Sequence, residues 1–234
     1  MKEKDTEKQK QIKKDPAVHI RFLAMDIPRF FAGMTARLLY RPRMMYLSDK
    51  RPDKHGGALV IANHSSFSDP VILGTMLPRR IFYLAGELAM GKGLKPILLK
   101  GCGCIGIDRN ISDIEGIKKA VAIMKRGHYL LMFPQGELKR DGEIKELKSG
   151  AILMAWQAGV PILPVYVRKG IVRHNRAAVM VGEELNLRDY CTKAMPSMKD
   201  ITELTDLAAL KMHACEKACF DRLRQKGILK EVVK

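Results

Sequence analysis

The sequence predicts an α/β fold: a mixed, largely parallel sheet with helices on its faces, preceded by an N-terminal helical hairpin. Six short aliphatic runs, near 58–62, 81–85, 104–107, 129–133, 161–167 and 177–181, have strand length and little polar alternation, as strands covered on both faces do. Stretches of helical apolar spacing separate them, which is the order of a layered α/β domain. With 234 residues and 47% hydrophobic content, the chain can bury one substantial core.

Residues 1–16 are polar and rich in Lys and Glu, and read as a disordered or frayed basic tail. No uninterrupted apolar stretch follows, so they do not resemble a signal peptide. Apolar residues at helical spacing then appear at Val18, Phe22 and Met25, and again at Phe30, Phe31, Met34, Leu38 and Leu39. Pro28 divides the two sets and suits the end of one helix or the first turn of the next. Arg21, Asp26, Arg29 and Arg37 interrupt the segment, which rules out the ~20-residue apolar span of a transmembrane helix. Residues 17–47 are therefore read as a helical pair, either packed on the domain or lying in a membrane interface. Arg41, Arg43, Lys50, Arg51 and Lys54 follow closely and suit an anionic lipid surface. The α/β domain occupies 48–234.

The run NHSSFSDP, residues 63–70, sits between the first aliphatic strand and Val71-Ile72-Leu73, the body of a helix. A strand-to-helix turn places side chains at the rim of a sheet, beside a helix N-terminus. His64 and Asp69 are spaced so that an Asp in the first helical turn can reach back to the His. A carboxylate on one imidazole nitrogen leaves the other free to take a proton from a hydroxyl. Asn63, Ser65, Ser66 and Asp69 are also ordinary turn and cap residues.

Farther along, Lys92, Lys95 and Lys100 either border a phosphate path or form a solvated face. Ser112 to Glu115 has the pattern of a capping box opening a helix. Arg109, just beyond the 104–107 strand, stands where open α/β sheets gather ligands, and a guanidinium there can grip a phosphate through two parallel hydrogen bonds. Its alternative is a surface ion pair with Asp108 or Asp113. Pro134-Gln135-Gly136 turns the chain out of the 129–133 strand, and Gly136 permits close approach of backbone to a ligand. Arg168, Lys169, Arg173, His174 and Arg176 form a basic loop, and 200–224 reads as a closing amphipathic helix.

A net charge of +17 calls for an anionic partner. Only 6% of residues are aromatic and no finger or RNP-like spacing occurs, so nucleic acid is not expected. Five scattered cysteines suit a reducing compartment. Neither Cys102 with Cys104 nor His213, Cys215 and Cys219 has paired zinc spacing, so they are read as packing residues and no metal is expected.

Four blocks in order, NHSSFSDP at 63–70, GCIGIDR at 103–109, FPQGELKR at 133–140 and VPILPV at 160–165, resemble those of the glycerolipid acyltransferases, the family typified by bacterial 1-acyl-glycerol-3-phosphate acyltransferase. Glu87-Leu88 and Lys148-Ser149-Gly150-Ala151 also resemble family segments. The third block departs from the family's Phe-Pro-Glu-Gly-Thr-Arg-Ser-Arg, keeping Arg140 but placing Gln135 where the Glu stands.

The resemblance implies transfer of a fatty acyl group from acyl-CoA or acyl carrier protein to a 1-acylglycerol-3-phosphate (lysophosphatidate-like) hydroxyl, in phospholipid biosynthesis. In that reading His64 is the base and Asp69 orients it. Arg109, Gln135, Gly136 and Arg140 serve the lysophospholipid acceptor. No bound cofactor is implied, and the enzyme would sit peripherally on the cytoplasmic face of the membrane. A thioester hydrolase, and a non-catalytic protein that binds anionic lipid, are the alternatives.

Overall fold

The computed structural model describes the backbone of residues 27, 30–49, 51–52, 56–86, 91, 93, 95–108, 113–136, 144, 146–169 and 177–228. The predicted tail and the first of the two N-terminal helices lie outside these residues.

Among the described residues, seven strands form one sheet: β1 (Arg43–Tyr46), β2 (Ala58–Ala62), β3 (Ile81–Gly86), β4 (Cys104–Ile107), β5 (Tyr129–Met132), β6 (Ile162–Lys169) and β7 (Ala177–Val181). Their order is β1-β7-β6-β2-β5-β3-β4. The five strands β6, β2, β5, β3 and β4 are mutually parallel, while β7 runs antiparallel to β6 and pairs in parallel with β1. The carboxyl ends of the five parallel strands therefore share one edge.

Leu59 and Ile61 of β2 face one apolar cluster, and Ala58, Val60 and Ala62 face the other. A strand covered on both sides needs apolar residues at every position, which is why the aliphatic runs do not alternate. Helices α4 (Ile114–Lys125), α5 (Gly150–Ala158) and α6 (Met198–Gln225) cover the first face with Ala120, Met124, Ile152, Leu204 and Met212. Helix α2 (Asp69–Met76) covers the second with Ile72 and Leu73. Helix α3 (Lys95–Gly101) leads into β4.

The helix at residues 30–40, α1, lies against α2 through its small residues. A Cβ on Gly33 would stand 3.1 Å from Thr75 Cγ2, so the two helices come close at this point. Tyr40, at the other end of α1, lies near the start of α2, where Lys169 contacts both its ring and Ser68.

Two local expectations change, and one stretch left without an element gains one. Residues 43–46 are not helical: they form β1, paired residue for residue with Ala178 to Val181. The short, basic Arg-Met-Met-Tyr run carries little strand signal, and its pairing partner lies more than 130 residues away. The glycine- and lysine-rich stretch before β4 contains α3. The cap of α4 is Asp113, not Ser112: its Oδ1 accepts from Gly116 N–H at 2.8 Å. A full capping box occurs instead at Ser197 and Asp200, opening α6.

Candidate active site

The turn between β2 and α2 is tied down from both sides. Asn63 is fully buried, and its amide donates to Val167 O at 3.0 Å while its Oδ1 accepts from Val167 N–H at 2.7 Å. It thus copies a backbone ladder step and extends the β2–β6 pairing by side chain. The turn that follows cannot slide along the sheet without breaking two buried hydrogen bonds.

Asp69 is the first residue of α2 and is fully buried. Its Oδ2 accepts from Ser65 N–H and Ser66 N–H, each at 2.7 Å, and lies 3.3 Å from His64 Nδ1. A carboxylate only accepts, so Nδ1 carries the proton in this contact, and in the neutral ring Nε2 then holds the lone pair. The two short backbone bonds are charge-assisted and hold the oxygen at one point. They also engage the N–H groups of Ser65 and Ser66, which are therefore directed at the carboxylate and not at a reacting carbonyl.

His64 is 18% exposed, enough to meet a substrate while remaining framed by protein. Its ring stacks on Phe133 with centroids 4.0 Å apart and planes at 17°. Phe133 directly follows β5, so this contact brings the Phe-Pro-Gln-Gly block to the histidine. Gln135 and Gly136 follow in the same turn and are half-buried. Gly136 adopts φ +75°, a conformation that favours glycine, and its N–H donates to Phe133 O at 3.0 Å.

His64, Asp69, Phe133, Gln135 and Gly136 thus gather at the carboxyl edge of the parallel strands. Arg109 and Arg140 lie outside the described residues; Ile107, two residues before Arg109, ends β4 at that same edge. Arg168 and Lys169, expected in a basic loop, are instead the last two residues of β6, while the loop's Arg173, His174 and Arg176 lie outside the described residues.

Nothing in the local sequence marks Asn63 or Phe133 as a holding residue. Their block membership was the available signal, but their partners lie 104 and 69 residues away (167 − 63; 133 − 64).

Cys215 and Cys219 are fully buried on α6, and burial is the first cause that pushes each thiol up to about 12. Cys104 is pushed up to about 11 by burial and then by Cys102. These are packing thiols, protonated at neutral pH.

Among known proteins, the family model described as Acyltransferase matches residues 44–168, which holds the whole β2–α2 turn and Phe133. The chain is 27% identical over 157 residues to the 1-acyl-sn-glycerol-3-phosphate acyltransferase of Bacillus subtilis, covering 64% of this chain and 76% of that one. It is 33% identical over 117 residues to a probable 1-acyl-sn-glycerol-3-phosphate acyltransferase of Mycoplasma pneumoniae, covering 47% of this chain and 43% of that one. The match therefore spans less than half of the Mycoplasma relative's length. In fold it is similar to the crystal structure of the 1-acyl-sn-glycerophosphate (LPA) acyltransferase of Thermotoga maritima, with a TM-score of 0.61 and 18% identity over 88% of this chain and 83% of that one.

Proposed function

The chain belongs to the acyltransferase family, and on that premise we propose that it is an O-acyltransferase moving a fatty acyl group from a thioester to the free hydroxyl of a 1-acylglycerol-3-phosphate-like acceptor. The observation that carries this reading is the His64–Asp69 pair, set at the carboxyl edge of the sheet with Oδ2 pinned by two backbone N–H groups.

Nε2 of His64 accepts the acceptor hydroxyl's proton as that oxygen attacks the thioester carbonyl. The imidazolium that forms is supported by Asp69 through Nδ1–H. When the tetrahedral intermediate collapses, the C–S bond breaks, the ester forms, and the imidazolium returns its proton to the departing thiolate. No acyl-enzyme is required. Phe133 keeps the ring plane fixed throughout, and its π face favours the charged imidazole stacked on it. Gln135, Arg109 and Arg140 are assigned to the acceptor, and acyl-CoA or acyl carrier protein is the donor.

The protein also works at a membrane surface in this reading, peripherally and on the cytoplasmic side. Ile27, Phe30, Phe31, Met34, Leu38 and Leu39 are exposed, Phe30 by 68% and Leu38 by 71%, around the buried Gly33–Ala36 seam of α1. Phe67, inside the catalytic turn, is 89% exposed. An apolar face on a strongly basic protein suits an anionic lipid interface. No described helix is long and apolar enough to cross a membrane.

The test is incubation with labelled acyl-CoA, with and without lysophosphatidate. Label entering phosphatidate only when acceptor is present supports the proposal. Thioester loss independent of acceptor identifies a hydrolase, and no turnover with any donor or acceptor leaves a lipid-binding protein.

A further inference from the structure

Lys169, at the carboxyl end of β6, reaches across to the catalytic turn. Its ammonium donates to Ser66 Oγ at 2.8 Å and to Ser68 Oγ at 2.6 Å, and lies 4.5 Å from the centroid of the Tyr40 ring. The residue is half-buried. Among the described residues no carboxylate pairs with it, and the one acid in the turn, Asp69, directs Oδ2 to His64, Ser65 and Ser66. Its partners are neutral hydroxyls and an aromatic face, so its charge is solvated by dipoles but not cancelled.

This arrangement changes what the serines offer. A hydroxyl oxygen that accepts from an ammonium turns its own proton outward and donates more strongly, because hydrogen bonds in a chain polarise one another. Ser66 Oγ and Ser68 Oγ are 3.1 Å apart, so one hydroxyl proton joins the two serines and the other remains to donate outward. An uncancelled cation beside a polarised hydroxyl is matched by a multiply charged oxyanion. A neutral alcohol or an alkyl chain gains little there.

We propose that Lys169, with Ser66 and Ser68, forms a phosphate-binding site at the rim of the catalytic turn. Ser66 lies two residues from His64. In a 1-acylglycerol-3-phosphate the phosphate-bearing carbon is bonded to the carbon carrying the reacting hydroxyl, so a phosphate held here keeps that hydroxyl within the histidine's neighbourhood. Acceptor phosphate is the source this geometry favours; a phosphate of the coenzyme donor shares the chemistry. The inference rests on the acyltransferase reading for its substrate but not for its ligand class.

The experiment compares wild type, Lys169→Met and Lys169→Gln. Gln keeps a donor to the serine oxygens while removing the charge, so it separates anion binding from a structural clasp and stands in if the Met variant fails to fold. Glycerol 3-phosphate binding is followed by calorimetry, and KM is measured separately for donor, lysophosphatidate and phosphate-free 1-acylglycerol. Loss of one charge-assisted contact predicts about 10- to 100-fold weaker glycerol 3-phosphate binding in both variants. The KM for lysophosphatidate should rise to a similar degree, and the preference for lysophosphatidate over 1-acylglycerol should fall.

A rise confined to the donor KM supports the site and assigns it to the coenzyme. Unchanged phosphate binding with unchanged KM values overturns the proposal, as does an equal fall in kcat for both acceptors. If wild type transfers no acyl group yet binds glycerol 3-phosphate through Lys169, the acyltransferase reading fails and the phosphate site stands.

Discussion

Asp69→Asn tests the central contact, because the backbone around it limits what the amide can do. Ser65 N–H and Ser66 N–H both point at Oδ2 from 2.7 Å. An Asn that turned its NH2 toward them would set donors against donors, so its oxygen must occupy the Oδ2 position. His64 Nδ1–H then keeps an acceptor, and Nε2 keeps its lone pair. In serine proteases the equivalent change also reverses the tautomer and costs about 10⁴ in kcat; here only the charge is lost.

A charge pair at about 4 Å is worth about 4 kcal/mol near a protein surface, and the partial exposure of His64 reduces that. At 1.36 kcal/mol per tenfold, kcat should fall about 10²- to 10³-fold. Stability falls as well. Two charge-assisted bonds become neutral, costing about 2–3 kcal/mol together, and the new NH2 replaces the buried Oδ1, which has no partner among the described residues. That is tolerable within a typical 5–15 kcal/mol, so the variant should be folded but melt earlier.

The assay is single-turnover transfer from labelled acyl-CoA to lysophosphatidate, beside circular-dichroism melting and His64→Ala, which removes the base. A folded Asp69→Asn enzyme within about threefold of wild-type kcat, well short of that expected loss, would refute the role given to the carboxylate. A loss as complete as that of His64→Ala would show that the oxygen is not pinned.

Phe133→Leu removes the stacked partner of His64 and should lower kcat by about two- to tenfold, in line with an aromatic contact of ~0.5–1.5 kcal/mol, with donor KM unchanged; an unchanged kcat would make the stack incidental. Gln135→Glu should shift preference among acceptors with differently placed hydroxyls and leave donor preference alone, and identical acceptor profiles would remove this position from acceptor recognition. Replacing Phe30, Phe31 and Leu38 together by Ser should weaken co-sedimentation with anionic vesicles without lowering the melting temperature, because these side chains are exposed; undiminished binding would place the lipid contact elsewhere. Asp200, held at about 2 against an ordinary 3.8 first by Lys193 and then by Ser197, contributes stability that is complete above pH 3.8 and lost as pH falls through about 2. Asp200→Asn should therefore melt below wild type at neutral pH, the gap closing as the medium approaches pH 2; a gap independent of pH would show that charge is not what matters there.

Local signals were enough for much of the fold. Five residues of Val, Ile, Leu and Ala bounded by Gly57 and Asn63 have the length and flanks of a short buried strand, and β2 spans Ala58–Ala62 as the apolar run does. The closing helix was legible over 200–224 because its apolar residues repeat at helical spacing, and the structure extends it only to Met198–Gln225. Elements without such patterns were missed. β1 is basic and short and becomes a strand because β7 offers it an edge. α3 begins at Lys95-Pro96 within a stretch whose glycines mask its four-residue apolar and basic body.

The sequence by itself determined the α/β class, the extents of most strands, and the His64–Asp69 spacing that lets a helix's first residue meet a strand-end histidine. All of these depend on residues close together in the chain. Only the tertiary structure decided the strand order, the stitching of Asn63 to Val167, the Phe133 ring beneath His64, and the reach of Lys169 to Ser66 and Ser68 across 103 and 101 residues. Contacts at that separation leave no periodicity or spacing in the chain, because they are set by which strands pair and where parallel carboxyl ends converge.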